Sequence, residues 1–320
     1  MKANSPVEPM SFIGVDVAST HLDVAEHGQS GVRRIANDDS SIRRWLAGLP
    51  RTAVLAMEAT GRYHLRLAEL AHERGLRVYV LNPRDVKHYA RAVGQRGKTD
   101  RLDALVLARY IAHEHGQLHA WQSSTAPLQR LQELLRRRAT LVRHTTALRQ
   151  GLQDQPALLQ AVLQPLKTAV AGLDKQIAQA AAAVPDGAQA LQHITSVPGL
   201  GLLSAAALLA LFTRLSSAGA DTVVAFTGLD PRPMDSGKRR GRRCLSKRGP
   251  AELRRLLFNA AMSAARTSSW RALYERERAK GLPSTAALIV LARKLVRVAF
   301  SLFKNRSDFD PARLRTNGRA

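Results

Sequence analysis

Two short apolar runs, each carrying one acid, constrain this chain more than any other feature. The first, FIGVDVA within SFIGVDVAST, contains Asp16, and the second, TAVLAMEATG, ends on Glu58. Runs this continuous predict strands of a parallel sheet, which are buried on both faces. A carboxylate inside such a run costs several kcal/mol to bury unless it is paired or binds a metal. Any fold that buries both runs must therefore supply their acids with a partner.

The surrounding pattern supplies an order. LDVAEHG and GVRRIAND alternate after the first run, and SSIRRWLAGL has helical periodicity. After the second run come a helix (HLRLAELAHERG), a strand (LRVYVLN) and a helical stretch carrying GKTDRLDALVLARYIA. Three strands, a helix, a strand, a helix, a strand and a helix is the order of the ribonuclease H-like fold, read from periodicity and turn residues. In that sheet order Asp16 and Glu58 lie side by side. The last helix brings Asp100 and Asp103, which are neighbours on one helical face. Thr99 is its expected N-cap, with Leu102, Leu105 and Val106 as its core face. Four converging carboxylates suit two hard divalent cations, and paired Mg²⁺ ions about 4 Å apart clamp the attacking and leaving oxygens of a phosphodiester. Taken singly, each acid reads better as a cap or a surface residue; the four together, in this order, favour the metal site.

Charge narrows the partners. The 320 residues carry 49 Lys and Arg against 25 Asp and Glu, a net +24, which points to a polyanion, most simply nucleic acid. The sequence shows no long uncharged apolar segment and no amphipathic anchor, which argues against a membrane. MKANSPVEPM lacks the apolar core of a signal peptide, and the single cysteine, Cys244, fits a reducing compartment, so a cytoplasmic, nucleoid-associated protein is expected.

The expected organisation is a disordered lead-in at 1–10, an α/β domain at 11–120, a helical hairpin at 124–184, a mostly helical domain at 190–308 and a tail at 309–320. Within the first domain Arg84, Lys87, Arg91, Arg96, Lys98 and Arg101 precede or flank the helical acids and could hold phosphates, which position nucleic acid without reading its sequence. The hairpin has apolar residues at 128, 131, 135 and 142, near heptad spacing, with Arg138 interrupting the seam. It reads as a coiled-coil spacer and dimerisation arm, with Pro165 as a kink or a late helix start. In HITSVPGLGLLSAAALLALF, Gly199 and Gly201 make a glycine turn between helices, whose amides and helix N-terminus can hold a phosphate.

A second basic stretch follows. From Arg232 to Arg255 there are ten Lys or Arg and two acids, a net +8, punctuated by Gly237, Gly241 and Gly249. Lys238, Arg239, Arg240, Arg242, Arg243, Lys247 and Arg248 form its cationic surface, suited to close approach to phosphodiesters. It contains two serines, Ser236 and Ser246. A serine attacks poorly unless a base or strong electrostatics helps it, and surrounding arginines would stabilise a phosphorane-like transition state. On residues alone the two serines are equal candidates.

VDVAST, MEATGRYH and NPRDVKHYARAVGQRGKTDRLDA resemble the DEDD, RuvC-like domain of the insertion sequence 110 group of transposases, including its 1111 subgroup. ITSVPGLG, AFTGLDPRPMDSGKRRGR and LSKRGPAELRRLLFNAA resemble that family's C-terminal serine transposase domain. The resemblance implies that Asp16, Glu58, Asp100 and Asp103 bind the metals and that Ser236, in the SG motif, joins covalently to DNA. It implies action on double-stranded donor and target DNA by a homo-oligomer, a dimer or a tetramer on DNA, with one subunit's acids and another's serine in a composite site. Some relatives are guided by a structured non-coding RNA, which would leave the protein to hold backbones and shape. DSGKRRGRR stands here where many relatives have an SSGG-like segment, which keeps Ser246 in view. Two other readings stay open: a metal-only nuclease of the Holliday-junction type, and a non-enzymatic nucleic-acid-binding protein.

Overall fold

Hydrophobic segments close the chain around two separate cores. The computed structural model describes residues 10–59, 61–95, 99–232 and 243–315, and it divides the chain into two compact units, Met1–Ser123 and Ser124–Ala320.

The first unit is α/β. Its strands are β1 (Phe12–Val17), β2 (His21–Glu26), β3 (Val32–Ala36), β4 (Val54–Glu58) and β5 (Arg77–Leu81). They form one sheet in the order β3-β2-β1-β4-β5. The first three strands are an antiparallel meander, and β4 and β5 run parallel to β1. Both acid-bearing runs are central strands with continuous burial from Ile13 to Val15 and from Val54 to Met57, as their composition predicts.

Helices cover both faces of this sheet. One face carries Ile13, Val15 and Val17 against α1 (Asp39–Ala47) and α2 (Tyr63–Glu73). The other carries Val54, Ala56 and Tyr79 against α3 (Pro83–Ala92) and α4 (Asp100–Glu114). Sequence periodicity shows one helix after β5, whereas the structure has two. Asn82 caps α3, accepting from the Arg84 amide at 3.0 Å. The helix hides only Val86 fully, which is why its apolar signal is faint.

Helix α4 meets the sheet more closely than large side chains allow. Its N-cap is Thr99, as expected, accepting from the Leu102 amide. Of its expected core residues Val106 is buried and Leu105 is half-buried against the core, whereas Leu102 is half-buried and joins no core cluster; Ala104, Leu107, Ala108 and Ile111 complete the buried face. The reason for the alanines is Gly14 on β1. A Cβ there would lie 2.2 Å from both the Ala104 carbonyl oxygen and the Ala108 amide nitrogen. Ala25 on β2 completes the small-residue contact with Ala104 and Ala108.

The second unit is helical. It begins with α5 (Ala126–Gly151) and α6 (Pro156–Ala182), which pack together as a hairpin. Then follow α7 (Gly187–Thr195), α8 (Leu202–Arg214) and α9 (Ala220–Thr227), a small ribbon of β6 (Pro231–Arg232) and β7 (Cys244–Leu245), α10 (Ala251–Ala264), α11 (Ser268–Ala279), α12 (Ser284–Asn305) and α13 (Ala312–Arg315). The base of the hairpin joins the main core through Leu128, Leu131, Leu134, Ile177 and Ala181. Leu134 rather than Leu135 is the fully buried position, so the seam follows helical packing onto a domain at this end. Arg138 does not interrupt the hairpin; it pairs with Asp174 of α6 across it. Pro165 lies inside α6, which starts at Pro156, and so marks no late start. No described helix is long and apolar enough to cross a membrane.

Because the Gly14 contact is backbone against backbone, Gly14→Ala is expected to push α4 off the sheet and destabilise the first unit by about 2 kcal/mol or more. Urea unfolding, together with hydrogen exchange of the α4 amides, measures this. Gly31→Ala, where an added Cβ meets nothing within 4 Å, is the control and should shift neither.

Candidate metal and nucleic-acid site

The small-residue contact sets the position of the acids. Asp16 is two residues beyond Gly14 on β1 and so faces the same side of the sheet. Asp100 is one turn before Ala104 on α4, and Asp103 one turn before Leu107, so both continue the buried stripe into the first turn of the helix. Glu58 follows Met57, the residue paired with Val15, and so sits at the level of Asp16 on the neighbouring strand. Two strand ends and one helix start thus converge. The helix N-terminus adds a favourable partial positive charge for the two carboxylates of its first turn.

The electrostatics of Asp16 register this convergence. Its carboxyl is pushed up from 3.8 to about 6, first by burial and then by repulsion from Asp103, Asp100, Glu58 and Asp23. The three other acids singled out in the sequence therefore all act on Asp16.

A fifth acid, not anticipated from the sequence, belongs to the same cluster. Asp23 on β2 lies directly opposite Asp16, and Arg34 on β3 directly opposite Asp23, forming a row across three strands. Asp23 is almost fully buried. Arg34 holds it with two parallel hydrogen bonds, Nε to Oδ1 at 2.9 Å and Nη2 to Oδ2 at 2.7 Å. This fork keeps the Asp23 carboxyl below its ordinary range despite burial. Arg34 Nη2 also lies 3.7 Å from Asp100 Oδ2. His21 Nε2 stands 3.7 Å from Asp23 Oδ2 and 3.9 Å from Asp100 Oδ2, sealed from solvent and without a hydrogen-bond partner among the described residues. His21, Asp23 and Asp100 offer ligand atoms within 4.8 Å of one another. Both oxygens of Asp23 already accept from Arg34, however, so a cation on Asp23 would have to displace a bidentate guanidinium.

The expected phosphate-binding residues divide between the units. Arg84, Lys87 and Arg91 are exposed along one stripe of α3, at spacings of three and four residues. Arg101 is exposed in the first turn of α4. Arg96 and Lys98 lie outside the described residues, as do Ser236, Lys238, Arg239, Arg240 and Arg242. In the second unit Gly199 has φ +100° and is packed against α10, where a Cβ would lie 2.5 Å from that of Ala264. Packing onto α10 thus accounts for a glycine at 199. Gly201 is exposed at the N-terminus of α8. Arg243, Lys247 and Arg248 are exposed on either side of β7 and the turn after it. Ser246 lies in that turn, half-buried, its Oγ donating to the Asp230 carboxylate and its amide to the Asp230 carbonyl oxygen at 2.9 Å. Cys244 is exposed.

Two family models match this chain in succession. One, described as Transposase and of the DEDD, IS110 type, matches residues 13–162; the other, described as Transposase IS116/IS110/IS902 family, matches residues 191–275. Some curated relatives match nearly end to end, and others over part of the chain. The pilin gene-inverting protein of Moraxella lacunata is 29% identical over 94% of this chain and 98% of its own length. A probable family 20 transposase of Pseudomonas aeruginosa is 26% identical over 94% of this chain and 99% of its own. An insertion element IS116 protein of Streptomyces clavuligerus is 35% identical over 37% of this chain and 30% of its own. The first model covers β1, β4 and the start of α4, the elements that carry the acids, and the second covers α8, the β6–β7 ribbon and α10; the chain belongs to the IS116/IS110/IS902 family of transposases.

Proposed function

We propose that this protein cuts and rejoins double-stranded DNA, using Asp16, Glu58, Asp100 and Asp103 to hold Mg²⁺ and a serine of the second unit as nucleophile. The observation that carries this reading is Asp16, raised to about 6 by burial and by the other acids. Four carboxylates gathered this way repel one another, and divalent cations relieve that repulsion with the oxygen ligands such ions prefer. The sheet order supports a ribonuclease H-like reading of the first unit. The Moraxella relative, a pilin gene-inverting protein by name, supports DNA rearrangement as the outcome.

Bound Mg²⁺ would polarise a phosphodiester and stabilise the leaving oxygen. The residues of the chain set up that chemistry. Asp16 and Glu58 hold fixed positions because they stand on central strands. Asp100 and Asp103 hold theirs because α4 is locked to Gly14. Arg34 pairs with Asp23, which adds the least repulsion to Asp16 of the four acids around it. The stripe of Arg84, Lys87 and Arg91 supplies sequence-independent phosphate contacts. Ser236 is the preferred nucleophile, on the family resemblance and its basic, glycine-rich surroundings. Its Oγ would bond to phosphorus as the bond to the sugar oxygen breaks, which splits one hard step into two. Ser246 is the second reading, favoured by its contact with Asp230, a carboxylate placed to accept its proton. Guidance by a structured non-coding RNA and assembly of dimers or tetramers on DNA belong to the same proposal and rest on the resemblance. For assembly the far part of the hairpin is the surface to test, because Leu131 is fully buried in the main core while Leu158 is 51% exposed.

Replacing Asp16, Glu58, Asp100 or Asp103 by Ala is expected to lower strand cleavage by more than about a hundredfold, beyond the 10–100-fold that loss of an outer metal contact brings. Arg34→Ala should fall within that smaller range. Full cleavage in Asp103→Ala would remove that acid from the site.

The pH dependence follows from the direction of the Asp16 shift. Its folded-state value lies above the ordinary 3.8, so without divalent cations stability falls as pH rises through the window from about 4 to about 6 and stays lower above it. Thermal melting in EDTA should show that decline, and Asp16→Asn should flatten it and raise the Tm at neutral pH. An unchanged profile in the variant would contradict the reading.

Ser236→Ala is expected to lose both the covalent protein–DNA adduct and cleavage while still binding duplex. A denaturing gel of protein with labelled duplex and Mg²⁺ reads this directly. An adduct that survives Ser236→Ala and disappears in Ser246→Ala moves the nucleophile to the Asp230 pair.

A further inference from the structure

The second unit contains a basic cleft that neither the acids nor the serines use. It lies between α11 and α12 and has a volume of about 230 Å³. Val290, Arg293, Lys294 and Arg297 project from α12 at spacings of three and four residues, so they share one face. Arg276 of α11 stands across from them, and Leu273 contributes an apolar patch.

Two of the three acids near this cleft are paired with cations, and the third holds a hydroxyl. Glu277 accepts from Lys280 Nζ at 2.9 Å and from Arg276 Nε at 3.4 Å. Asp221 of α9 accepts from Arg297 through Nε at 3.1 Å and Nη2 at 2.5 Å. Asp230, whose charge also acts on Arg293, accepts from Ser246. That leaves Arg293 and Lys294. Lys294 has no ion pair among the described residues. Arg293 Nε is closed to solvent with no hydrogen-bond partner among the described residues. Burial first and the neighbouring Arg297 second lower the Arg293 pKa, and Asp221 and Asp230 offset only part of that, so the free protein carries this charge at a cost. A partly desolvated guanidinium whose Nε makes no hydrogen bond among the described residues, and whose neighbouring carboxylates are hydrogen-bonded elsewhere, costs stability, which is the pattern of a residue kept for a ligand.

The chemistry of that ligand is narrow. Two uncommitted cations, one a planar fork and one a point charge, match a phosphate with several acceptor oxygens. The Leu273 and Val290 side chains offer an apolar surface to an adjoining sugar. The net charge of +24 makes a polyanion the natural source of that phosphate. The Asp230 link places the cleft beside the start of β6, the strand that leads into the basic stretch.

We propose that Arg293 and Lys294 bind a backbone phosphate of duplex DNA in this cleft. This rests on the DNA reading above. The site would hold the duplex without reading sequence and would act whether or not metal is present.

The test measures binding of the full-length protein to a short random-sequence duplex in EDTA, as a function of salt. The double variant Arg293→Gln, Lys294→Gln is expected to reduce the log–log salt slope by about one unit, at roughly 0.9 per phosphate, and to weaken binding at least about tenfold at low salt. Removing two exposed charges elsewhere, with Arg271→Gln and Lys175→Gln, should have a smaller effect. Arg293→Met should raise the Tm of the free protein while weakening the duplex complex. Should the double variant lose its circular dichroism signal, Lys294→Gln alone serves and should reduce the slope by about one unit. A folded variant with an unchanged slope overturns the proposal, as does an equal loss in the control pair. Loss confined to single-stranded RNA, with duplex binding intact, assigns the cleft to RNA and overturns the DNA claim. A wild-type protein that binds no duplex sinks the DNA reading itself rather than the cleft alone.

Discussion

Helix α4 lies against β1 with no side chain between them at Gly14, and the first unit depends on that approach. The contact is made of Gly14, Ala25, Ala104 and Ala108, which bury little apolar area individually but allow backbone to meet backbone. Close packing of this kind transmits position with little slack. A carboxylate on β1 and two in the first turn of α4 are thereby held in fixed relation, although 84 residues separate Asp16 from Asp100. The pairing of β1 with β4 adds Glu58 by the same logic of register.

The cluster then has to be electrostatically tolerable. Asp23 would be a fifth charge beside Asp16, and its full burial would be costly without Arg34. The Arg34 fork pairs it, and Asp23 adds the least of the four repulsions that raise Asp16. Arg34 also approaches Asp100, so one guanidinium borders the acids on the side of β3. This makes Arg34 a positioning group, one that shapes the site through Asp23 and Asp100.

Much of this was legible in the sequence, and the misses have physical causes. Asp16 and Glu58 stood out because acids inside continuous apolar runs are costly. Asp100 and Asp103 stood out because three-residue spacing puts them on one helical face, with Thr99 before them as a cap. Asp23 was hidden because its significance lies in cross-strand pairing with Asp16 and Arg34, which the alternation of LDVAE does not reveal. A charged residue facing a charged residue between apolar neighbours was the available signal. Val106 and Leu105 of the α4 core face are legible, but hydrophobic patterning weights leucines such as Leu102 above alanines, whereas Gly14 selects the alanines. The second helix after β5 was missed because only Val86 of α3 is fully buried. In the second unit the glycine turn at 199 is explained by packing on α10, a long-range contact that no local motif encodes.

The central claim is that the carboxylates locked in place by Gly14 hold divalent cations. Crystals grown with Mn²⁺ and measured for anomalous scattering test it directly. The account predicts anomalous peaks bounded by Asp16, Glu58, Asp100 and Asp103, with Arg34 still forked onto Asp23. A peak held by His21, Asp23 and Asp100 with Arg34 displaced, or no peak among these acids at saturating Mn²⁺, would contradict it.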